Sequence, residues 1–108
     1  MGFFKGKSNI KSPQEVKAIM ENGGDFVLLD VRTPDEYHRE RIEGAKLLPL
    51  NEISSRAAAE LPSKEKLILV YCHSGVRADS AVRMLVSMGY TNVFSFGGII
   101  NWPYETVN

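Results

Sequence analysis

The sequence predicts a three-layer α/β/α domain, and three observations carry that prediction. Short apolar runs alternate with capped, amphipathic segments from residue 12 to residue 96, the grammar of repeated βαβ units. The run Leu67–Tyr71 has no charged or small polar position, as expected of a strand covered on both faces in a parallel sheet. The chain has 108 residues, 44% hydrophobic and 24% charged, which suits one domain whose core forms without disulfides or a structural metal.

Each element has its own signal. Ser12-Pro13-Gln14-Glu15 is a capping box with proline at the first helical position. Val16, Ile19 and Met20 then share one face until Asn22-Gly23-Gly24 stops the helix. Phe26–Leu29 is an apolar strand, and Thr33-Pro34-Asp35-Glu36 repeats the capping signature and opens a short helix through Tyr37 to about Arg39. Ala45–Leu48 reads as the next strand, and the alanine-rich stretch Ile53–Leu61 as a short helix closed by Pro62. After the strand Leu67–Tyr71, a helix starts near Arg77, turns Ala81, Val82, Leu85 and Val86 inward and ends at Gly89. Val93–Phe96 is the last strand. There is no repeat or linker on which to cut the chain, so residues 1–108 are expected to form one domain, with about 1–7 frayed or with Phe3 and Phe4 packed back on it.

Charge and cysteine content restrict the function. Thirteen basic and thirteen acidic residues sum to zero, which argues against nucleic acid or an acidic membrane as a partner held by long-range attraction. No apolar run approaches the ~18 residues of a membrane span, and the N-terminus lacks a signal-peptide core. Gly2 does not complete a myristoylation pattern, because Gly6 stands where Ser or Thr is needed. One cysteine, Cys72, permits no internal disulfide, and a cytoplasmic location is expected. Two histidines and one cysteine at unrelated positions make no zinc site.

Chemistry points to one loop. Open parallel sheets bind ligands beyond the carboxyl ends of their strands, and Cys72 stands at that position, followed by Gly75, Arg77 and a helix start. Loop amides, the positive helix end and the Arg77 guanidinium would all favour a thiolate. A free thiol with pKa near ~8.5 is only a few per cent ionised at neutral pH, and making the anion dominant takes roughly 2.7 kcal/mol. A helix terminus supplies about 0.3–1 kcal/mol, whereas each amide donated to an anion supplies roughly 1.5–3 kcal/mol. A ring of amides is therefore the expected activator, with no general base. The bland competitor, a small buried hydrophobe, has no use for such surroundings. His73 is expected to face solvent.

Cys72-His73-Ser74-Gly75-Val76-Arg77 resembles the active-site loop of the rhodanese sulfurtransferase family, whose single-domain members commonly read Cys-Arg-Ser-Gly-x-Arg. The resemblance covers nearly the whole chain. Leu29-Asp30-Val31-Arg32, then Glu36-Tyr37 and Ile42-Glu43-Gly44-Ala45, are similar to its N-terminal signature, and Gly97-Gly98-Ile99-Ile100-Asn101-Trp102 to its C-terminal one. The resemblance implies a five-stranded parallel sheet and Cys72 as nucleophile. Cys72 would take sulfane sulfur from thiosulfate, a polysulfide or a persulfide, hold it as a persulfide, and pass it to cyanide or a thiol, with protein donors and acceptors also open. His73, Ser74, Gly75, Val76 and Arg77 would bind the donor.

Four residues separate Cys72 from Arg77, where the related dual-specificity phosphatases have five, and the shorter loop favours a sulfur atom over a phosphate. In the family's strand order Asp30 and Cys72 lie on neighbouring strands; Asp30 and Arg32 are read first as an anchoring ion pair and second as groups touching substrate. Glu36 is read as the capping partner of Thr33, Gly97 and Gly98 as a tight turn packed by Trp102, and Arg83 as a solvated charge. His73 stands where many relatives have arginine, and Ala78 where Ser is frequent, so loss of positive charge predicts a preference for polysulfide, persulfide or protein-bound donors over dianionic thiosulfate. The rival function is a non-catalytic rhodanese-like interaction module or sulfur carrier; retention of Cys72, which inactive relatives commonly lose, favours the enzyme.

Overall fold

The computed structural model describes residues 9–108. Helix α1 (Pro13–Asn22) is closed at its start by the reciprocal bonds of the Ser12–Glu15 capping box, with the Glu15 amide donating to Ser12 Oγ at 3.0 Å and the Ser12 amide to Glu15 Oε1 at 2.7 Å. Strand β1 (Phe26–Asp30) follows, then α2 (Pro34–Arg39), whose capping box joins Thr33 and Glu36. Strand β2 (Lys46–Leu47) leads through a 3₁₀ turn (Leu50–Glu52) into α3 (Ile53–Glu60). Strand β3 (Leu67–Cys72), helix α4 (Val76–Ser87), strand β4 (Val93–Gly98) and a 3₁₀ turn (Ile99–Asn101) complete the elements of the described residues.

All strand pairs are parallel, in the order β2-β1-β3-β4, so β1 and β3 are central. Successive residues of a strand face opposite sides of a sheet, and β3 divides accordingly. Ile68, Val70 and Cys72 pack with Ile53 and Ala57 of α3 and Ala78, Ala81, Val82 and Leu85 of α4. Leu69 and Tyr71 pack on the other side with Val16 of α1, Phe96, Ile99 and Trp102. This two-sided burial explains the unbroken apolar run, and it turns the Cys72 side chain toward α4.

The sheet corrects the expected strand count: four strands form among the described residues, not five. Outside β4, Ile10 makes an isolated parallel bridge to Ser95, where the Lys11 amide donates to Ser95 O at 2.9 Å and the Ser95 amide to Asn9 O at 2.8 Å. Toward the C-terminus this pairing ends because Ser12 already caps α1. Strand β2 is also shorter than its apolar pattern, since Ala45 and Leu48 are buried beyond its two paired residues. Gly97 and Gly98 are not a tight turn; they extend β4, and Gly98 pairs with Cys72. Phe3 and Phe4 lie outside the described residues. No helix among the described residues is long and apolar enough to cross a membrane.

Candidate active site

Cys72 is the last residue of β3, and its side chain is 1% exposed. Two backbone amides converge on its sulfur: Gly75 N at 3.0 Å and Ala78 N at 3.3 Å. Gly75 is the residue before α4 and offers no side-chain cap, so the sulfur takes the amide of the helix's first turn in its place. A sulfur held this way lies at the positive end of a twelve-residue helix and accepts from donors that are fixed by the fold.

The loop keeps this shape because glycines let it lie against β4. Gly75 has φ of 120°, in the region that disfavours side chains, and a Cβ there would sit 3.4 Å from Gly97 Cα. The β3–β4 register slips between Val70 and Cys72, with two residues, Phe96 and Gly97, opposing Tyr71 alone. Gly97 takes φ of 93° at this bulge. Gly98 approaches the loop so closely that a Cβ would lie 1.9 Å from His73 O. The same carbonyl accepts from the Ile100 amide at 3.2 Å, so the loop is seated on the Gly97–Ile100 segment.

Asp30 and Arg32 form a buried ion pair. The Arg32 amide and Nε donate to Asp30 Oδ1 at 2.9 and 3.0 Å, and Nη2 donates to Oδ2 at 2.7 Å. Nη2 also donates to Glu40 O at 2.6 Å, tying the end of β1 to the end of α2. Arg32 nevertheless lines the cavity of about 490 Å³ beside the loop, together with Glu36, Arg39, Glu40, His73, Ile99 and Ile100.

Arg77, expected to favour a thiolate at Cys72, is near enough to be influenced by the Cys72 charge, but its hydrogen bonds go to Glu36. Its Nη1 and Nη2 donate to Glu36 Oε1 and Oε2 at 2.8 and 3.0 Å, a two-point pair between α4 and α2. Glu36 Oε1 accepts as well from the Thr33 amide and hydroxyl, at 3.0 and 3.1 Å. The Arg77 bonds, with help from Thr33 and against partial burial, pull the Glu36 carboxyl down to about 2. Glu36 therefore does two jobs, and sequence reading found only the cap. His73, Ser74 and Val76 are exposed, while Gly75 is buried beneath them. The Ala78 amide and Gly98 are further parts of the site that residue-type reasoning passed over. A main-chain donor has no sequence signature, and Gly98 reads as a turn. Among the described residues no group of three His, Cys, Asp or Glu side chains is placed to hold a metal ion.

The model of the family described as Rhodanese-like domain matches residues 12–103. The chain belongs to the rhodanese family. Among curated relatives, this rhodanese chain is 39% identical over 71 residues to "Thiosulfate sulfurtransferase PspE" of Escherichia coli, covering 66% of this chain and 68% of that protein. It is 38% identical over 79 residues to "Thiosulfate sulfurtransferase GlpE" of Coxiella burnetii, covering 72% of each. Among solved structures, a "rhodanese with anions from E. coli" superposes with a TM-score of 0.72 at 35% identity, over 77% of this chain and 98% of that one. The α/β architecture built above is thus the rhodanese fold, and the Cys72 loop is where this chain brings its helix end, its bulge and its paired arginines together.

Proposed function

We propose that the protein is a sulfurtransferase that carries sulfane sulfur as a persulfide on Cys72. The observation that carries this reading is the pair of amides, Gly75 N and Ala78 N, aimed at the Cys72 sulfur. Preorganised donors of this kind stabilise an anion without reorganising during reaction, and a persulfide anion needs the same stabilisation as a thiolate. Two relatives named thiosulfate sulfurtransferases support the reading.

In the first half-reaction the Cys72 thiolate attacks the outer sulfur of thiosulfate. The new S–S bond forms as the old one breaks, and sulfite leaves with the electron pair. In the second, cyanide or a thiolate attacks the outer persulfide sulfur and releases Cys72 as thiolate, giving thiocyanate or a new persulfide. Polysulfides and persulfides enter by the same step. The transferred atom is the outer, sulfane sulfur of the persulfide, one S–S bond of about 2 Å beyond the buried Sγ. His73 lines the 490 Å³ cavity that gives donor and acceptor room to approach, and Ser74, Gly75, Val76 and Arg77 complete the loop proposed to bind the donor. Asp30 and Arg32 support the loop's frame rather than the reacting atoms.

A cyanide assay with thiosulfate tests the proposal. Thiocyanate formation that is lost in Cys72→Ser is the expected result. Failure with thiosulfate, polysulfide and persulfide donors alike would leave a sulfur-binding or interaction module instead.

A further inference from the structure

The sulfurtransferase reading assumes a donor, and the charges around the loop say which donor chemistry fits. Two of the arginines near the loop are each matched by a carboxylate: Arg32 by Asp30 and Arg77 by Glu36. Arg39 and Glu40 add one charge of each sign to the cavity wall. Among the described residues the hydrogen bonds to the sulfur come from two neutral amides, and Arg77, which also feels the Cys72 charge, is bound to Glu36. A doubly charged donor that leaves water here thus finds amide dipoles and a helix end, while the charges of Arg32 and Arg77 are each already balanced by a carboxylate.

We propose that Glu36 determines donor selectivity: by holding Arg77 in a two-point ion pair, it withholds a positive charge from the loop and favours singly charged sulfane donors over dianionic ones. The inference rests on the persulfide reading above. Glu36 acts through Arg77, as a positioning residue. Its carboxylate is itself fixed by the Thr33 amide and hydroxyl at the start of α2, so it holds the guanidinium from a rigid base. With its carboxyl at about 2, Glu36 stays charged, and the pair intact, throughout any practical assay range.

Thiosulfate and methanethiosulfonate are suited to the test. Both present one terminal sulfane sulfur, but a methyl group in the second replaces a charged oxygen in the first. Each balances the same step: thiosulfate leaves as sulfite, methanethiosulfonate as methanesulfinate, and Cys72 becomes the persulfide in both. With cyanide as acceptor, the wild-type protein should use methanethiosulfonate with a kcat/KM at least equal to that for thiosulfate. In Glu36→Gln, glutamine still completes the α2 cap, and the charge of Arg77 is no longer cancelled. The thiosulfate KM should fall about two- to fivefold, the size of a partly exposed charge contact, with kcat and the methanethiosulfonate KM little changed. Glu36→Asp, which keeps the charge, should return the donor ratio to that of the wild type. In the double variant Glu36→Gln with Arg77→Ala, the selective gain should disappear.

A tenfold wild-type preference for thiosulfate would overturn the inference without any variant. So would equal KM changes for both donors in Glu36→Gln, which is the signature of a purely structural role, or a thiosulfate gain that survives removal of Arg77. If the wild type turned over neither donor, the sulfurtransferase reading itself would fall, a result distinct from all of these.

Discussion

Replacing Gly98 by alanine is the sharpest probe of how the loop is held. The backbone at Gly98 has φ of −136° and ψ of 163°, which alanine adopts without strain, so any effect comes from the added methyl group. That carbon would lie 1.9 Å from His73 O, 2.3 Å from His73 C and 2.5 Å from Ser74 Cα, all of them atoms of the Cys72 loop's backbone. No side-chain rotation relieves these contacts. The loop and β4 must part by about 1 Å, and overpacking of this kind costs about 1–3 kcal/mol. The same movement carries the Gly75 amide off the Cys72 sulfur, and a misplacement of about 1 Å can cost on the order of a hundredfold in rate. We expect Gly98→Ala to lose about a hundredfold in cyanide-dependent thiocyanate formation while remaining folded by circular dichroism. Gly24→Ala, where an added Cβ meets nothing within 4 Å, is the control and should keep full activity. A Gly98→Ala protein with wild-type kcat/KM would refute the claim that the Gly97–Ile100 segment seats the loop.

Two further predictions follow from charges in the fold. The Glu36 carboxyl is lowered from 4.5 to about 2, first by its bonds to Arg77, so its contribution to stability is complete above pH 4.5 and is lost as pH falls toward 2. Urea unfolding of wild type and Glu36→Gln should therefore converge over that window; curves that stay parallel would contradict the pairing. Asp30→Asn leaves the buried Arg32 guanidinium without its countercharge and should cost about 3–5 kcal/mol, read from the shift in urea midpoint, whereas a change below 1 kcal/mol would mean the pair is not needed.

What was legible in the sequence was local. The two capping boxes, Ser12–Glu15 and Thr33–Glu36, span three residues each, and both form as their residue types require. The central position of β3 follows from its unbroken apolar run, because only a strand flanked by strands and covered on both faces can bury every side chain. The position of Cys72 at the end of β3 beside a helix start was equally visible. The parts that stayed hidden depend on distant partners. Glu36 and Arg77 are 41 residues apart, and nothing near Glu36 distinguishes a cap from a cap that also holds an arginine. The bulge at Gly97 depends on the register of β4 against β3, which neither strand's own sequence fixes. Among the described residues the outer edge of the sheet carries one bridge from Ile10, and on its C-terminal side the next residues are already committed to capping α1.

The account depends on Cys72 accepting one sulfur atom. The direct test is intact-mass spectrometry of the protein after incubation with a sulfane donor and no acceptor, followed by peptide mapping. The expected result is the mass of a single added sulfur on the peptide containing Cys72, removed by cyanide with release of thiocyanate. An unchanged mass with every donor, or an added sulfur that persists in Cys72→Ser, would contradict it.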